Sequence, residues 1–320
     1  MKCSGPLKIE VLSNRINSTH MDTVKPFLKW VGGKGQILEH VIALFPAEMS
    51  NYHEPFLGGG SVLLALLTQV RNGLVKVSGD IRASDLNSNL IYLYKNVQAK
   101  PEELITEVKK LSAEFAKATG AIVERKPTSV EQALTSPESY YFWIRSTFNA
   151  LPPNVRSSPA ASAMVLFMNK TCFRGVYREG PNGFNVPYGN YKNPAILDEG
   201  HIRQVSQLIQ GVIFTVQPFT DSMAACAAGD FVYLDPPYAG DSFVSYTKDG
   251  FGPENHKRLF ELCAGLREKN VGMLLSNADV KMVKDAFPSP TYTTKIVSCK
   301  RTINSRKPDA KANEVLITIS

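Results

Sequence analysis

The stretch DFVYLDPPYAG, residues 230–240, is the starting point for interpreting this chain. Its FVYL segment (231–234) is aromatic, aliphatic and β-branched, and it predicts a short buried strand. The prolines that begin at Pro236 have no backbone N–H to donate, so they end the strand and leave Asp235 at its carboxyl end, beside Tyr238. A turn closed by a helix-capping acid explains this pattern. The carboxyl ends of strands in open α/β sheets also bind ligands, and the motif alone does not decide between the two.

Two further features upstream favour a ligand site. FLGGGS (56–61) places three glycines between a short strand and an apolar helix, where backbone N–H groups can approach a ligand. The dinucleotide fingerprint GxGxxG is incomplete because position 63 is leucine, and the chain has no GK[ST] of a P-loop. Asp85 follows the next strand, roughly 25 residues later, where nucleotide-binding sheets carry an acid that binds a ribose. The pair favours a nucleoside-like ligand over a plain tight turn.

The order of predicted elements indicates an α/β fold. Strands and helices alternate up to residue 97, including one strand from Val75 to Ala83, and strands return after residue 201. The segment 98–200 is mostly helical and ends in a stretch rich in glycine, asparagine and arginine. We predict a parallel, Rossmann-like catalytic domain interrupted by an insertion and preceded by a loose extension. The predicted boundaries are 1–24 for the extension, 25–97 and 201–320 for the catalytic domain, and 98–200 for the insertion.

Composition excludes several classes of protein. Hydrophobic residues make up 43% of the 320 residues, which suits a folded core rather than disorder. The five cysteines show no CxxC spacing and the histidines do not cluster with them, so we expect neither a metal site nor a disulfide scaffold. The scattered cysteines suit the reducing cytoplasm. The chain shows no membrane-spanning apolar run, and its N-terminal residues lack the apolar stretch of a signal peptide. The net charge of +7 favours a polyanionic partner.

With KWVGGK (29–34) ahead of these elements, the chain resembles the Dam-type family of DNA adenine-N6 methyltransferases, the α class with a DPPY motif. The matching stretches occur in the family's order, from about residue 27 to residue 320, and are FLKWVGGKGQ, HEPFLGGGS, ASDLNSNLI, NKTCFRGVYR through FNVPYGNYKNP, and DFVYLDPPY. The resemblance implies a methyltransferase sheet with a DNA-recognition insertion that carries a β-hairpin. It implies double-stranded DNA as the partner.

The resemblance assigns the chemistry to the DPPY motif, residues Asp235, Pro236, Pro237 and Tyr238. The amine of adenine is a poor nucleophile because its lone pair is delocalised into the ring. Asp235 and the Pro236 carbonyl offer hydrogen-bond acceptors for that amine, and Tyr238 offers a face for a flipped-out base. Most of the acceleration is expected from the placement of these groups.

The cofactor implied by the resemblance is S-adenosylmethionine. Trp30 is expected to lie along it, Lys34 to interact with its polar end and Asp85 to bind its ribose, while Asp235 faces the methyl group. Trp30 on its own also fits an ordinary core tryptophan. The complete set of implied cofactor contacts is Trp30, Lys34, Glu54, Pro55, Phe56, Gly58, Gly60, Asp85 and Asp235.

The insertion contains a candidate DNA reader. EGPNG (179–183) predicts a hairpin turn, and a two-stranded ribbon fits the major groove. By resemblance, Phe173 fills the gap left by a flipped base. The implied base-reading residues are Lys29, Arg174, Val176, Arg178 and Pro187. Arginines that meet only phosphates are the alternative, and the basic segment 299–311 is a further candidate for phosphate contacts.

One departure concerns the target sequence. Relatives that methylate GATC have Asn-Gly where this chain has Arg174-Gly175, and FRGVYR is more similar to the branch that methylates CATG. We therefore expect CATG in preference to GATC, and a genetically linked restriction endonuclease is a candidate partner. The alternatives are an RNA adenine or protein glutamine methyltransferase and a catalytically silent DNA-binding relative. The aspartate of DPPY and the basic insertion argue against the first, and the intact motif argues against the second.

Overall fold

The computed structural model describes residues 23–239, 250–300 and 311–320, without the side chains of Lys300, Lys311 and Ala312. The predicted extension 1–24 therefore lies outside the described residues except for its last two, of which Val24 is buried in the core. Most of the basic segment 299–311 also lies outside them.

The described residues form one large sheet of seven strands. From edge to edge the strands are β10 (Tyr292–Lys300), β11 (Lys311–Ile319), β9 (Gly272–Ala278), β8 (Phe231–Leu234), β2 (Tyr52–Glu54), β4 (Ile81–Asp85) and β7 (Val212–Val216). The five from β9 to β7 run parallel, which confirms the predicted α/β, Rossmann-like class. β11 is antiparallel to both of its neighbours, and its connection from β10 is too short for a parallel crossover.

The strand predicted from Val75 to Ala83 is wrong as a single element. β3 (Lys76–Val77) pairs with β1 (Glu48–Met49) in a separate two-stranded sheet, and only β4 joins the large one. The side chain of Asn51 causes the break, because its Oδ1 accepts a hydrogen bond from the backbone N–H of Asp80 at 2.7 Å. A Cβ at position 79 would lie 2.3 Å from the same oxygen, so glycine is needed there.

Helices cover both parts of the chain. α1 (Leu38–Ile42) precedes the first strand. Those that follow strands of the large sheet are α2 (Ser61–Arg71), α3 (Ser88–Ala99), α9 (Phe219–Ala224), α10 (Pro253–Glu268) and α11 (Lys281–Ala286). Those between residues 98 and 208 are α4 (Pro101–Lys117), α5 (Val130–Ala133), α6 (Pro137–Ala150), α7 (Pro159–Thr171) and α8 (Glu199–Leu208). Side-chain caps begin several of them: Asn87 accepts from the N–H of Leu90, and Ser136 and Ser158 precede a proline at the first helical position.

The predicted hairpin is present and short. β5 (Glu179–Gly180) pairs with β6 (Gly183–Phe184) around a two-residue turn. The residues before it do not continue the ribbon, because Phe173–Gly175 form a 3-10 turn beside an isolated bridge from Cys172 to Tyr188. The predicted reader is thus a turn followed by a small hairpin. The turn packs on α7 and the hairpin packs on α6.

Candidate active site

Acidic residues lie at the ends of three neighbouring strands. β2 ends in Glu54, β4 ends in Asp85, and Asp235 directly follows β8. Because these strands are parallel neighbours, their carboxyl ends lie side by side at one edge of the sheet. The strand order confirms that the glycine turn, the acid after the next strand and the DPPY motif share this edge.

Asp235 is paired with a buried lysine from a distant part of the chain. The Nζ of Lys34 lies 2.7 Å from Oδ1 of Asp235, and the two side chains are 3% and 20% exposed. The same ammonium donates to the Gly32 carbonyl at 2.8 Å and lies 4.9 Å from the centre of the Tyr238 ring. Burial raises the pKa of Asp235 to about 6, and the charge of Lys34 opposes a larger rise. The carboxylate is therefore ionised at neutral pH and available as a hydrogen-bond acceptor.

Sequence reasoning missed Glu314, the second carboxylate in this cluster. The hydroxyl of Tyr238 donates to Oε2 of Glu314 at 2.7 Å, and the thiol of Cys299 donates to Oε1 at 3.2 Å. Glu314 and Cys299 stand on β11 and β10, far along the chain from DPPY. Only the pairing of these strands brings them to the motif, so no local pattern indicates them.

The glycine turn closes against Trp30. A Cβ at Gly59 would lie 2.8 Å from Cβ of Trp30, and one at Gly58 would lie 3.1 Å from its indole ring. Gly60 has a φ of 68°, and Tyr94 blocks any side chain there while its hydroxyl donates to the Gly59 carbonyl at 2.8 Å. Glycine is therefore required at these positions by contact as well as by backbone conformation. Trp30 lies over a backbone groove that begins α2.

Burial raises the pKa of two acids beside the turn, Asp85 and Glu54. Asp85 accepts hydrogen bonds from the N–H of Gly58 at 3.0 Å and of Asn87 at 2.9 Å. Burial raises the pKa of Asp85, and these backbone donors oppose the rise. Burial also raises the pKa of Glu54, to about 8, against the hydrogen bond of 2.7 Å that it accepts from Tyr52. At neutral pH Glu54 is protonated and Asp235 is ionised.

An aromatic cluster next to these acids contains residues that sequence reasoning missed. Phe56 stacks on Phe219 with ring centres 5.4 Å apart, and Phe251 approaches both rings. Leu86, directly after Asp85, exposes 56% of its surface, which is unusual for a leucine at the end of a buried strand. Phe56 was the predicted member of the cluster. A flat, apolar ligand group fits against such residues.

The insertion is tied to the catalytic half at Lys29 and Trp30. The side chain of Asn169 bonds to both the N–H and the carbonyl of Lys29, at 2.9 and 2.7 Å. A Cβ at Gly175 would lie 2.4 Å from Cβ of Lys29, so the reader turn packs directly on this residue. Trp30 stacks on Tyr177 with ring centres 5.5 Å apart. The predicted base contact from the catalytic half and the predicted reader turn are therefore neighbours.

The reader turn exposes an aromatic and an arginine together. Phe173 is 49% exposed, and the guanidinium of Arg174 lies 5.3 Å from the centre of its ring. Arg174 has a φ of 56° and a ψ of 15°, which is the left-handed region that a residue with a side chain rarely adopts. Such conformations cost about 1–3 kcal/mol and occur mainly at functional sites.

The remaining predicted readers differ in exposure. Arg178 is exposed, and its Nε donates to Oδ1 of Asn185 at 2.6 Å across the small hairpin. Pro187 is exposed and its carbonyl accepts from the N–H of Phe173 at 2.9 Å. Val176 packs partly against the core, so less of it is accessible than of the other two.

Two negative findings apply to residues 23–239, 250–300 and 311–320. In these ranges no three histidine, cysteine, aspartate or glutamate side chains form a group that could hold a metal ion. None of the helices there has both the length and the apolar character needed to cross a bilayer.

Comparisons with known proteins identify the family. A family model described as D12 class N6 adenine-specific DNA methyltransferase matches residues 30–304. The type II methyltransferase M.MjaIII of Methanocaldococcus jannaschii is 35% identical over 294 residues, which cover 88% of this chain and 94% of that protein. M1.LlaDCHI of Lactococcus lactis, also a type II methyltransferase, is 29% identical over 313 residues and covers 95% and 96%. The DNA adenine methylase of Escherichia coli K12 is 27% identical over 300 residues and covers 92% and 95%.

The mixed α/β sheet, the DPPY edge and these similarities define an enzyme that methylates adenine in DNA. The chain belongs to the D12 class N6 adenine-specific DNA methyltransferase family.

Proposed function

We propose that this enzyme transfers the methyl group of S-adenosylmethionine to N6 of adenine in a short duplex site, with CATG favoured over GATC. The observation that carries the proposal is the ionised Asp235 at the end of β8, paired with Lys34 at 2.7 Å and adjacent to Tyr238. It lies at the sheet edge where the glycine turn and Asp85 also lie.

The residues at this edge fit S-adenosylmethionine. The glycines of the turn leave a groove under Trp30 that any Cβ would fill, and the groove suits the slender amino-acid portion of the cofactor. Asp85 is placed to accept hydrogen bonds from ribose hydroxyls once its contact with Gly58 adapts. The cluster of Phe56, Phe219 and Phe251 suits an adenine ring, and the exposed Leu86 follows Asp85 directly. Glu54 and Pro55, beside the turn, complete the proposed contacts.

The residues of the DPPY motif then have separate roles toward the target amine. When bound, the cofactor supplies an electrophilic methyl group. Asp235 accepts a hydrogen bond from one N–H of the amine, and the Pro236 carbonyl accepts the other, which favours a tetrahedral nitrogen. Pro237 keeps the turn stiff because its φ is fixed. An ionised Asp235 is also a suitable acceptor for the proton that the amine loses, and Lys34 keeps this carboxylate ionised.

The reader turn supports the proposed target. Asparagine, present at position 174 in GATC-type relatives, adopts the left-handed backbone more readily than arginine does. This chain nevertheless has Arg174 there, and an arginine pairs well with guanine. We assign Arg174 to a contact with the outer base pair of the site, where CATG has a guanine opposite its first cytosine. Such a contact offsets the cost of the left-handed backbone at Arg174. Phe173, exposed beside it, is the proposed intercalating side chain.

Three further assignments belong to this proposal. Residues 98–200 act as the target-recognition insertion, although α3 runs across residue 98 and packs on α7. The enzyme works on DNA in the cytoplasm. A restriction endonuclease encoded nearby is the proposed genetic partner, in keeping with the type II names of two relatives.

Sequencing with modified-base detection tests the proposed function. The chain and its Asp235→Ala variant are expressed in a host that lacks its own adenine methylase, and genomic DNA is compared. We expect N6-methyladenine at CATG only with the unaltered chain. Modification at GATC alone would refute the CATG assignment and the role given to Arg174. No modified adenine at any site would refute the proposed function itself.

A further inference from the structure

The tyrosine of the DPPY motif depends on a carboxylate from the far end of the chain. Tyr238 is half-buried and follows two prolines, and its hydroxyl donates to Oε2 of Glu314 at 2.7 Å. Glu314 is held from its other side, because the Cys299 thiol donates to Oε1 at 3.2 Å. The carboxylate is therefore fixed by two strands, β10 and β11, before any substrate binds.

Contacts at the hydroxyl, at the ring face and at the adjacent backbone restrict the position of the Tyr238 ring. The hydroxyl end is bound to Glu314, and the ammonium of Lys34 lies 4.9 Å from the ring centre. The backbone is fixed as well, since the N–H of Ala239 donates to Oδ1 of Asn277 at 3.1 Å. A ring held in this way loses little conformational freedom when a base stacks on it, and such preorganisation strengthens binding.

We propose that Glu314 is a positioning residue for methyl transfer: its carboxylate holds the hydroxyl of Tyr238 so that the ring is already oriented to receive the flipped adenine. This inference rests on the proposed function. Glu314 makes no contact with the reacting atoms in this assignment and acts only through Tyr238.

Variants that remove the hydrogen bond between Tyr238 and Glu314 should behave differently from a variant that keeps it. Glu314→Ala and Tyr238→Phe each remove the hydrogen bond, one from either side, whereas Glu314→Gln keeps an oxygen that can accept it. Glu314→Gln also removes a negative charge that raises the pKa of Asp235. The glutamine variant should therefore keep its activity at pH 7 and show an acidic limb of its rate profile displaced to lower pH.

The test uses duplexes with 2-aminopurine at the target adenine, whose fluorescence rises when the base leaves the stack, together with single-turnover methylation of the normal duplex. We expect Glu314→Ala and Tyr238→Phe each to slow methylation by about 10- to 100-fold, the range for one lost hydrogen bond to a charged group. Both should reduce the rise in 2-aminopurine fluorescence on binding, because a less well-oriented Tyr238 ring retains less of the flipped base. The double variant should be no slower than either single one, and Glu314→Gln should lie within about threefold of the parent.

Controls separate this role from a general effect on folding. Thr318→Ala lies on the same strand and should leave both readouts unchanged. Losses that multiply in the double variant, or full activity of Tyr238→Phe, would overturn the inference while the parent still methylates DNA. A glutamine variant as slow as the alanine variant would overturn it too, because the hydrogen bond would then not be the cause. Absence of methylation by the parent would overturn the proposed function and this inference with it.

Discussion

Lys34→Met should change the pH dependence of catalysis more than its maximum. The substitution removes the ammonium 2.7 Å from Asp235 and keeps a buried side chain of similar length. Methyl transfer requires an ionised Asp235, so the rate of the parent enzyme should rise with pH through the pKa of about 6. Because Lys34 lowers that pKa, its loss raises the pKa, and activity should appear only at higher pH.

The size of the shift follows from the geometry. At 2.7 Å, two unit charges interact by about 6 kcal/mol at an effective dielectric constant of about 20. Water that enters the gap reduces this value, and removal of one partner of a buried pair typically costs about 3–5 kcal/mol. At 1.36 kcal/mol per pH unit, about 3 kcal/mol moves the midpoint by roughly 2 units, to about pH 8. The variant should then be roughly tenfold slower than the parent at pH 7 and recover by about pH 9.

Single-turnover methylation at saturating cofactor and DNA, measured from pH 5 to 9.5, isolates this step from binding. Lys76→Met is the matched control, because Lys76 is an exposed lysine 4.0 Å from its partner Glu48, and it should not move the profile. A Lys34→Met enzyme that is slower by the same factor at every pH would refute the reasoning. Lys34 would then serve binding or folding and not the ionisation of Asp235.

Four further variants test the cofactor groove and the DNA reader. Trp30→Ala and Asp85→Ala should each weaken S-adenosylmethionine binding more than DNA binding, because Trp30 forms one wall of the groove and Asp85 lies beside it. Calorimetry with the cofactor and without DNA measures this affinity, and an unchanged affinity in both variants would contradict the assignment of the groove to the cofactor. Arg178→Ala should reduce discrimination between cognate and one-mismatch duplexes by about 1–3 kcal/mol in competition binding, whereas equal weakening of both duplexes would make this arginine a phosphate contact. Arg174→Asn should raise the free energy of unfolding by about 1 kcal/mol, because asparagine tolerates the left-handed backbone. The same variant should discriminate less between CATG and GATC in protection assays. Unchanged specificity would show that Arg174 does not read the outer base pair.

Much of the catalytic edge could be predicted from local patterns. Two prolines after FVYL end a strand wherever they occur, so the position of Asp235 at a strand end follows from the sequence. The three glycines before the apolar helix likewise indicate the turn that the structure shows at Gly60. Parallel strands then bring these ends to one edge, since their connections are long enough for crossover helices.

The contacts that control charge at the site could not be predicted in the same way. Lys34 was expected at the cofactor, and its pairing with Asp235 depends on how the segment before α1 packs against β8. The bond from Tyr238 to Glu314 depends on β11 lying beside β9, a pairing without a local signature. The break in the strand predicted from 75 to 83 depends on one side chain, Asn51, from another strand end. Each of these is a long-range contact, and periodicity reports only local structure.

The most direct measurement is the transfer of a labelled methyl group to a single adenine. The purified protein is incubated with S-adenosylmethionine carrying a trideuterated methyl group and a duplex that contains one CATG site, and the DNA is digested to nucleosides for mass spectrometry. We expect trideuterated N6-methyldeoxyadenosine with the unaltered enzyme and a loss of at least about 100-fold with Asp235→Ala, the usual cost of removing a preorganised group at the transition state. Label on another base, or equal labelling by the Asp235→Ala enzyme, would contradict the assignment of this carboxylate to the methylation of adenine.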